Sequence, residues 1–311
     1  MNSLLLPGRN SVPANHRPLW RSLLYVPANV ERFIEKAPHS GADAIQLDLE
    51  DSIAPSEKDS ARKGVAAAAH RIASSKRDVV VRINRPLAMA VRDIEAAVCP
   101  MVSALSLPKV ESADHVRLLS ESVGEAELRA GMVVGTTRFI LGIETPAAWL
   151  RMQDIAAADP RNVAMLLGSE DFATAVGMST APENMFGPKQ AVVIAAASAG
   201  LLPLGIVGSF ANFRDKDAFR AMVRQSRAIG YRGSSCIHPD QVAILNEEFS
   251  PDAEEVEAAM AIVQRFEEAT DASRGAVSLD GAMIDMPVVQ RAQAILADYR
   301  LLQARLQEGR N

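Results

Sequence analysis

Eight short runs of apolar or β-branched residues recur along the chain, separated by stretches with helical spacing. They are Ser22–Pro27, Ala44–Glu50, Val79–Asn84, Ala104–Val110, Phe139–Thr145, Met165–Asp171, Pro203–Ser209 and Gly233–His238. Several are nearly unbroken in their hydrophobicity, as in Val79-Val80-Val81 and Met165-Leu166-Leu167. Strands of a parallel sheet covered on both faces have that pattern. Between them, Ala61–Ile72 is Ala-rich with spaced charges, Lys189–Ala199 is apolar after a Gly-Pro start, and Asp217–Ile229 sets Phe219, Met222, Val223 and Ile229 near one helical face. Ser56 and Ser112 stand where helix caps are expected. Strand and helix alternating about eight times predicts a TIM (β/α)8 barrel. An open doubly wound sheet is the alternative, but no Gly-rich dinucleotide fingerprint follows the first strand.

The rhythm changes after His238. A short helix opens at Pro239, a long one covers Ala253–Ala269, a Gly-containing turn region covers Arg274–Gly281, and a last helix runs from Pro287 to about Glu308. These residues exceed what eight βα units require. The predicted organisation is a flexible N-terminal tail over 1–18, a barrel over 19–250 and a C-terminal helical lid or oligomerisation segment over 251–311. Met1–Trp20 carries no acidic residue and lacks the long apolar core of a secretory signal; a short organellar presequence is the second reading of that stretch.

Composition narrows the function. With 311 residues, 48% hydrophobic and 23% charged, the chain has the make-up of a globular enzyme-sized protein. A net charge of −5 argues against broad attraction to nucleic acid or to an anionic membrane, though a local basic pocket for a phosphate stays open. No run approaches the ~18 apolar residues that a membrane helix needs. The two cysteines, Cys99 and Cys236, show neither metal spacing nor a disulfide framework, so a cytoplasmic location is expected.

In such a barrel the chemistry sits at the C-terminal ends of the strands. The second run ends Asp48-Leu49-Glu50-Asp51, the third Arg82-Ile83-Asn84, the fourth Pro108-Lys109-Val110-Glu111, the fifth Glu144-Thr145, the sixth Glu170-Asp171 and the eighth His238. Glu144 and Asp171 fall on adjacent strands in this reading. Two neighbouring carboxylates repel unless they share a proton or a divalent cation. Oxygen ligands without a His or Cys pair suit Mg²⁺ better than Zn²⁺. The bland alternative makes one acid a helix cap and the other a solvated loop residue. Arg82 follows three valines and needs a partner: an anionic substrate, or an internal salt bridge to Glu50 or Asp51. Glu50 and Asp51 either reach the metal through water or balance Arg82. His238 is read as a hydrogen-bonded residue closing the last strand, with a catalytic base as the alternative, and Cys236 as packing.

With these motifs in order, the chain resembles the citrate lyase β-subunit-like group of the HpcH/HpaI aldolase superfamily. The carriers run from Arg21 to Leu296: Arg21-Ser-Leu-Leu-Tyr-Val-Pro27, Asp48-Leu-Glu-Asp51 with Ala54-Pro-Ser-Glu-Lys58, Val81-Arg-Ile-Asn84, Leu107-Pro-Lys-Val-Glu111, Ile143-Glu-Thr145, Gly168-Ser-Glu-Asp171, Ile237-His-Pro239 and Leu279-Asp-Gly-Ala-Met-Ile-Asp-Met-Pro287. The resemblance implies Mg²⁺ on Glu144 and Asp171, Arg82 facing the substrate, and a lid aspartate, Asp285, reaching a neighbouring subunit of a trimer or hexamer. It implies cleavage or formation of a β-hydroxyacyl thioester, as in malyl-CoA or citramalyl-CoA lyases acting on acetyl-CoA and a 2-keto acid. A citrate lyase β subunit working on a citryl thioester of an acyl carrier protein is the alternative, and a non-catalytic CoA-binding barrel a third. The chain departs from the pattern after strand seven. Where many relatives have Asp-Gly-x-Tyr-x-Asp-Phe, it reads Val207-Gly-Ser-Phe-Ala-Asn-Phe213, which leaves the keto acid and acyl group open.

Overall fold

The computed structural model describes residues 18–209, 214–271, 277–279 and 282–308. The predicted tail lies outside the described residues except for Pro18, as do residues 210–213 of the divergent segment. The chain divides into two compact units, Met1–Phe249 and Ser250–Asn311.

The first unit holds eight parallel strands: β1 Ser22–Pro27, β2 Ala44–Asp48, β3 Asp78–Arg82, β4 Ala104–Leu107, β5 Arg138–Ile143, β6 Asn162–Leu167, β7 Leu202–Leu204 and β8 Ser234–Cys236. Sequential strands pair in order, β1 also pairs with β8, and a Leu204–Gly233 bridge joins β7 to β8 and closes the ring. Each predicted run thus overlaps a strand, though the seventh, Pro203–Ser209, does so only at Pro203 and Leu204. The sixth run is corrected at both ends. Its strand begins earlier, at Asn162, and stops at Leu167, because Ser169–Val176 turns into a helix that carries Glu170 and Asp171 in its first turn. Acids are favoured there by the unpaired amides of a helix N-terminus.

Alternation along each strand sorts the side chains. Ile45, Leu47, Val79, Val81, Leu105, Leu107, Phe139 and Leu141 face the helices and form the large core. The opposite face fills the barrel, where Leu23, Ala44, Val80, Ala104, Ile140 and Leu202 form an apolar base. Two residues further on, the same inward face becomes polar: Ala44 gives way to Gln46 and Asp48, Val80 to Arg82, Ala104 to Ser106, and Ile140 to Gly142 and Glu144. The switch from apolar to polar along β2–β5 therefore builds the base of the barrel and its functional rim.

Two helix starts differ from expectation. Ser112 caps its helix by accepting the His115 N–H, but Ser56 makes no cap; it sits in a 3₁₀ turn, Pro55–Glu57, and the helix begins at Lys58. The helix expected from Lys189 starts at Pro182 and contains Pro188. Arg161 and Glu127, both almost fully buried, form a two-bond ion pair (2.9 and 2.7 Å) between β6 and the helix Ala113–Arg129. Both cysteines are free.

The second unit contains helices Ala253–Asp271 and Met286–Glu308, packed through Val256, Ala259, Ala292 and Leu296. An antiparallel hairpin, β9 Val277–Leu279 and β10 Ala282–Ile284, stands where a turn region was expected. Among the described residues no helix is long and apolar enough to cross a membrane.

Closure of the barrel depends on one close approach. A Cβ on Gly233 would fall 1.8 Å from the Trp20 carbonyl oxygen, a backbone atom that cannot step aside. Gly233→Ala is therefore expected to cost at least about 3 kcal/mol, at or beyond the upper range for overpacking. Gly64→Ala, with nothing within 4 Å of the added carbon, is the control. On a helix interior it should add ~0.5–1 kcal/mol. Urea denaturation of both variants checks the contrast, and equal stabilities would refute it.

Candidate active site

Register brings the first pair together. Asp48 and Arg82 are direct partners across β2 and β3, both pointing inward. The guanidinium donates through Nε and Nη2 to the two oxygens of Asp48, each at 2.7 Å. Burial works against the Asp48 charge, but Arg82 outweighs it and holds the carboxyl below the usual carboxylate range. The Glu50 and Ser52 amides also donate to Asp48, at 2.9 and 3.0 Å. The Arg82 carbon lies 4.8 Å from the centre of the Tyr25 ring, within cation–π range. Glu50 lies 2.9 Å and Asp51 3.8 Å from Arg82 Nη1. The expected contacts to Glu50 and Asp51 therefore exist, but the principal partner is Asp48, a residue the motifs contain and to which no role was given.

Glu144 follows β5 and is 7% exposed. Two glycines make its place. A Cβ on Gly168 would come within 2.6 Å of Glu144 Cγ, and one on Gly142 within 2.8 Å of its Oε1. Neither Glu144 nor Asp171 caps a helix: Thr145 caps the turn Pro146–Trp149, and Asp171 sits inside the first turn of its own helix with its side chain about half exposed. Burial, then the charge of Glu50, then that of Asp171 push the Glu144 carboxyl up to about 7, against the opposing pull of Lys109. Burial also raises Glu50.

Lys109 ties these acids together. Its backbone N–H donates to Glu144 Oε1 at 3.1 Å. Its ammonium donates to Glu50 Oε1 at 2.9 Å and lies 3.7 Å from Asp51 and 3.9 Å from Asp171. To do both, it adopts a left-handed backbone with φ +49°, rare for a residue other than glycine. The sequence carried no signal for this beyond the position of Lys109 at a strand end.

The remaining predicted residues separate. His238 caps the helix Pro239–Glu248, its Nδ1 accepting the Asp240 N–H at 3.2 Å, while Gln241 accepts the Ile237 and His238 amides. Asp285 belongs to the second unit, where its Oδ1 accepts the Val288 N–H at 3.3 Å at the start of the last helix. In the divergent stretch, Val207 is buried, and the buried Lys189 amine donates to the carbonyls of Ile206 and Gly208. Ser209 donates to Glu170 at 3.0 Å.

Two cavities flank the cluster. One of about 860 Å³ runs from Asp48 and Arg82 past Tyr25, Val26 and Phe33 to Lys36 and His39, and is mainly apolar. The other, about 790 Å³, is lined mostly by charged and polar residues, among them Glu50, Lys58, Asn84, Arg85, Arg92 and Lys109. Among the described residues no three His, Cys, Asp or Glu side chains form a closed metal cage. The donor set at Glu144 and Asp171 is oxygen only, and burial with the nearby charges of Glu50 and Asp171 disfavours an uncompensated charge on Glu144. Both features fit Mg²⁺, which takes few protein carboxylates and fills its octahedron from water and substrate.

The sign of the pH effect follows. The folded-state pKa of Glu144, about 7, lies above the ~4.3 of an unfolded chain. Between these values the folded protein holds a proton that the unfolded chain has released. The contribution is full below about pH 4 and is lost as pH rises through 7, on the order of 3 kcal/mol in total. In chelator-treated protein, Glu144→Gln should remove this slope. Urea midpoints at pH 5 and 8 should drift apart in the wild type more than in the variant; equal drift would refute the assignment.

Comparison with known proteins identifies the family. Residues 21–239 match the HpcH/HpaI aldolase/citrate lyase family. The chain is 32% identical to citrate lyase subunit beta of Leuconostoc mesenteroides subsp. cremoris, covering 91% of this chain and 94% of that one. It is 33% identical to L-malyl-CoA/beta-methylmalyl-CoA lyase of Rhodobacter capsulatus, covering 93% and 96%. In structure it resembles protein CitE from Mycobacterium tuberculosis, solved with magnesium, acetoacetate and coenzyme A, with a TM-score of 0.68, 29% identity, and coverage of 88% of this chain and 96% of that one. An eight-stranded barrel with acids gathered on one rim, matched over most of its length by named lyases, places this chain in the HpcH/HpaI aldolase/citrate lyase family, as an enzyme of the lyase class.

Proposed function

We propose that this chain is a magnesium-dependent carbon–carbon lyase that cleaves or forms a β-hydroxyacyl-CoA thioester of the malyl-CoA or citramalyl-CoA type, its fragments being acetyl-CoA and a 2-keto acid. The observation that carries the reading is the juxtaposition at one rim of a buried, charge-poor Glu144, the adjacent Asp171 and a rigidly held Arg82. Similarity to a structure solved with magnesium, acetoacetate and coenzyme A supports the ligand classes.

Cleavage releases the β-hydroxyl proton, breaks the bond between the α and β carbons, and leaves its electron pair on the α carbon as a thioester enolate. The hydroxyl-bearing carbon becomes the carbonyl of the keto acid. Magnesium held by Glu144 and Asp171 would supply Lewis-acid polarisation of the keto-acid oxygens. Arg82 binds the substrate carboxylate or the developing oxyanion, and its bidentate bond to Asp48 means that little ordering remains to be done on binding. Glu50 and Asp51 keep the guanidinium in place from a second side. The cavity of about 860 Å³, apolar along Tyr25, Val26 and Phe33 and cationic at Lys36, suits an elongated thioester arm with a charged end. Asp285, delivered by a neighbouring copy in a trimer or hexamer, gives the enolate its proton, or takes one from the acetyl-CoA methyl in the reverse direction.

Glu144→Ala and Asp171→Ala should each lower turnover by more than about 100-fold, beyond what loss of a residue that merely orients a ligand costs. Products from Mg²⁺, acetyl-CoA or propionyl-CoA and a panel of 2-keto acids, identified by mass, provide the assay. Unchanged turnover in either variant would sink the metal assignment. Asp285→Asn should bind the thioester yet lose exchange of the acetyl-CoA methyl protons with D₂O, followed by NMR. Asn caps a helix about as well as Asp, so the loss is not a folding effect. Normal exchange in that variant moves the base elsewhere.

A further inference from the structure

We propose that Lys109 is an internal counter-cation that occupies the acid cluster until a divalent ion arrives and then withdraws, so that this lysine sets the metal affinity of the site. The inference rests on the assignment of Glu144 and Asp171 as metal ligands.

Four observations carry it. The ammonium lies within 4 Å of Glu50, Asp51 and Asp171 at once, at 2.9, 3.7 and 3.9 Å. No other cation among the described residues is recorded in an ion pair with Asp171. The backbone of the same residue is held in the left-handed region, and its N–H fixes Glu144 Oε1 at 3.1 Å. One residue therefore touches both proposed ligands, Glu144 through the main chain and Asp171 through the side chain. These two attachments separate cleanly: the side chain can leave while the amide stays on Glu144.

Departure leaves Glu50, the one buried acid that the ammonium bonds, in an ion pair with Arg82 Nη1 at 2.9 Å that carries no hydrogen bond, with Asp51 3.8 Å from the same nitrogen. Asp171, about half exposed, passes to the incoming ion. The lysine side chain is itself 28% exposed and lines the cavity of about 790 Å³, which offers it room beside Arg85. Five carboxylates (Asp48, Glu50, Asp51, Glu144 and Asp171) and two cations, Arg82 and Lys109, make up the cluster. Exchange of one ammonium for a divalent ion brings that balance closer to neutral. A unit positive charge a few ångströms from a bound divalent ion repels it strongly.

The test is direct binding of Mn²⁺ to chelator-treated, full-length protein, with free Mn²⁺ read by electron paramagnetic resonance. Lys109→Met keeps the length and removes the charge; Lys109→Asn removes the charge with a residue that tolerates the left-handed backbone. Both should bind Mn²⁺ more tightly than wild type, by about tenfold or more, whereas Lys109→Arg should stay near the wild-type value. Tightening cannot arise from structural damage, which only weakens a site. Unchanged or weaker Mn²⁺ binding in both neutral variants overturns the exchange. Glu144→Gln separates the two levels: its loss of Mn²⁺ binding upholds the ligand assignment whatever Lys109 does, and wild-type binding in Glu144→Gln overturns that assignment and the exchange with it.

Discussion

Acidic residues collected at one end of a barrel must be compensated, and the rim of this protein is organised around that requirement. The inward face of β2–β5 leaves the apolar base and becomes polar within two to four residues, so Asp48, Arg82 and Glu144 converge by geometry alone. In a poorly solvated setting an unpaired charge costs several kcal/mol. The bidentate Asp48–Arg82 bond settles one charge, and Glu50 is bracketed by Arg82 and Lys109. Glu144 receives only a single amide, and its carboxyl rises accordingly. The residue left least compensated is thus the one best suited to hold a cation. The glycines at 142 and 168 follow from the same demand, since each surrenders its side-chain volume to Glu144.

Much of this was legible in the sequence. Hydrophobic runs located all eight strands because a parallel barrel strand is covered on both faces and cannot disguise its composition. The rim acids were legible because a polar residue at a strand end has no business in a core. The errors have equally physical origins. Met165–Asp171 read as one strand because an apolar run and the helix that follows it share no boundary marker except Gly168. The β9–β10 hairpin is too short to show a period. Asp48, Glu50 and Asp51 were equivalent candidates for Arg82 along the chain, and only the cross-strand register of Asp48 with Arg82 distinguishes them. Lys109 was legible only as a charged residue at a strand end, and its part in linking the acids was not, since a left-handed backbone at a non-glycine residue leaves no trace in composition.

The family relationship constrains the chemistry more tightly than the substrate. Identities of 32% and 33% to relatives named for different substrates are effectively equal, so overall similarity does not choose between them. This chain departs from the family pattern in the segment after β7, where Val207 and Asn212 stand in place of acids. The described start of that segment is held by means other than sheet pairing: Lys189 grips the carbonyls of Ile206 and Gly208, and Ser226 receives the Val207 amide at 2.9 Å.

The single bridge that closes the barrel makes the cylinder mechanically uneven. β5 and β6 are joined over five register pairs, whereas β7 and β8 are three residues each and meet at one bridge, Leu204–Gly233. Local opening is easiest where the ladder is shortest. The wall bearing Glu144 is therefore the stiff side, and the seam between β7 and β8 is the compliant one. Opening at that seam spares the wall that carries Asp48, Arg82 and Glu144, but it is felt beside Asp171, because Ser209 beyond β7 bonds the neighbouring Glu170.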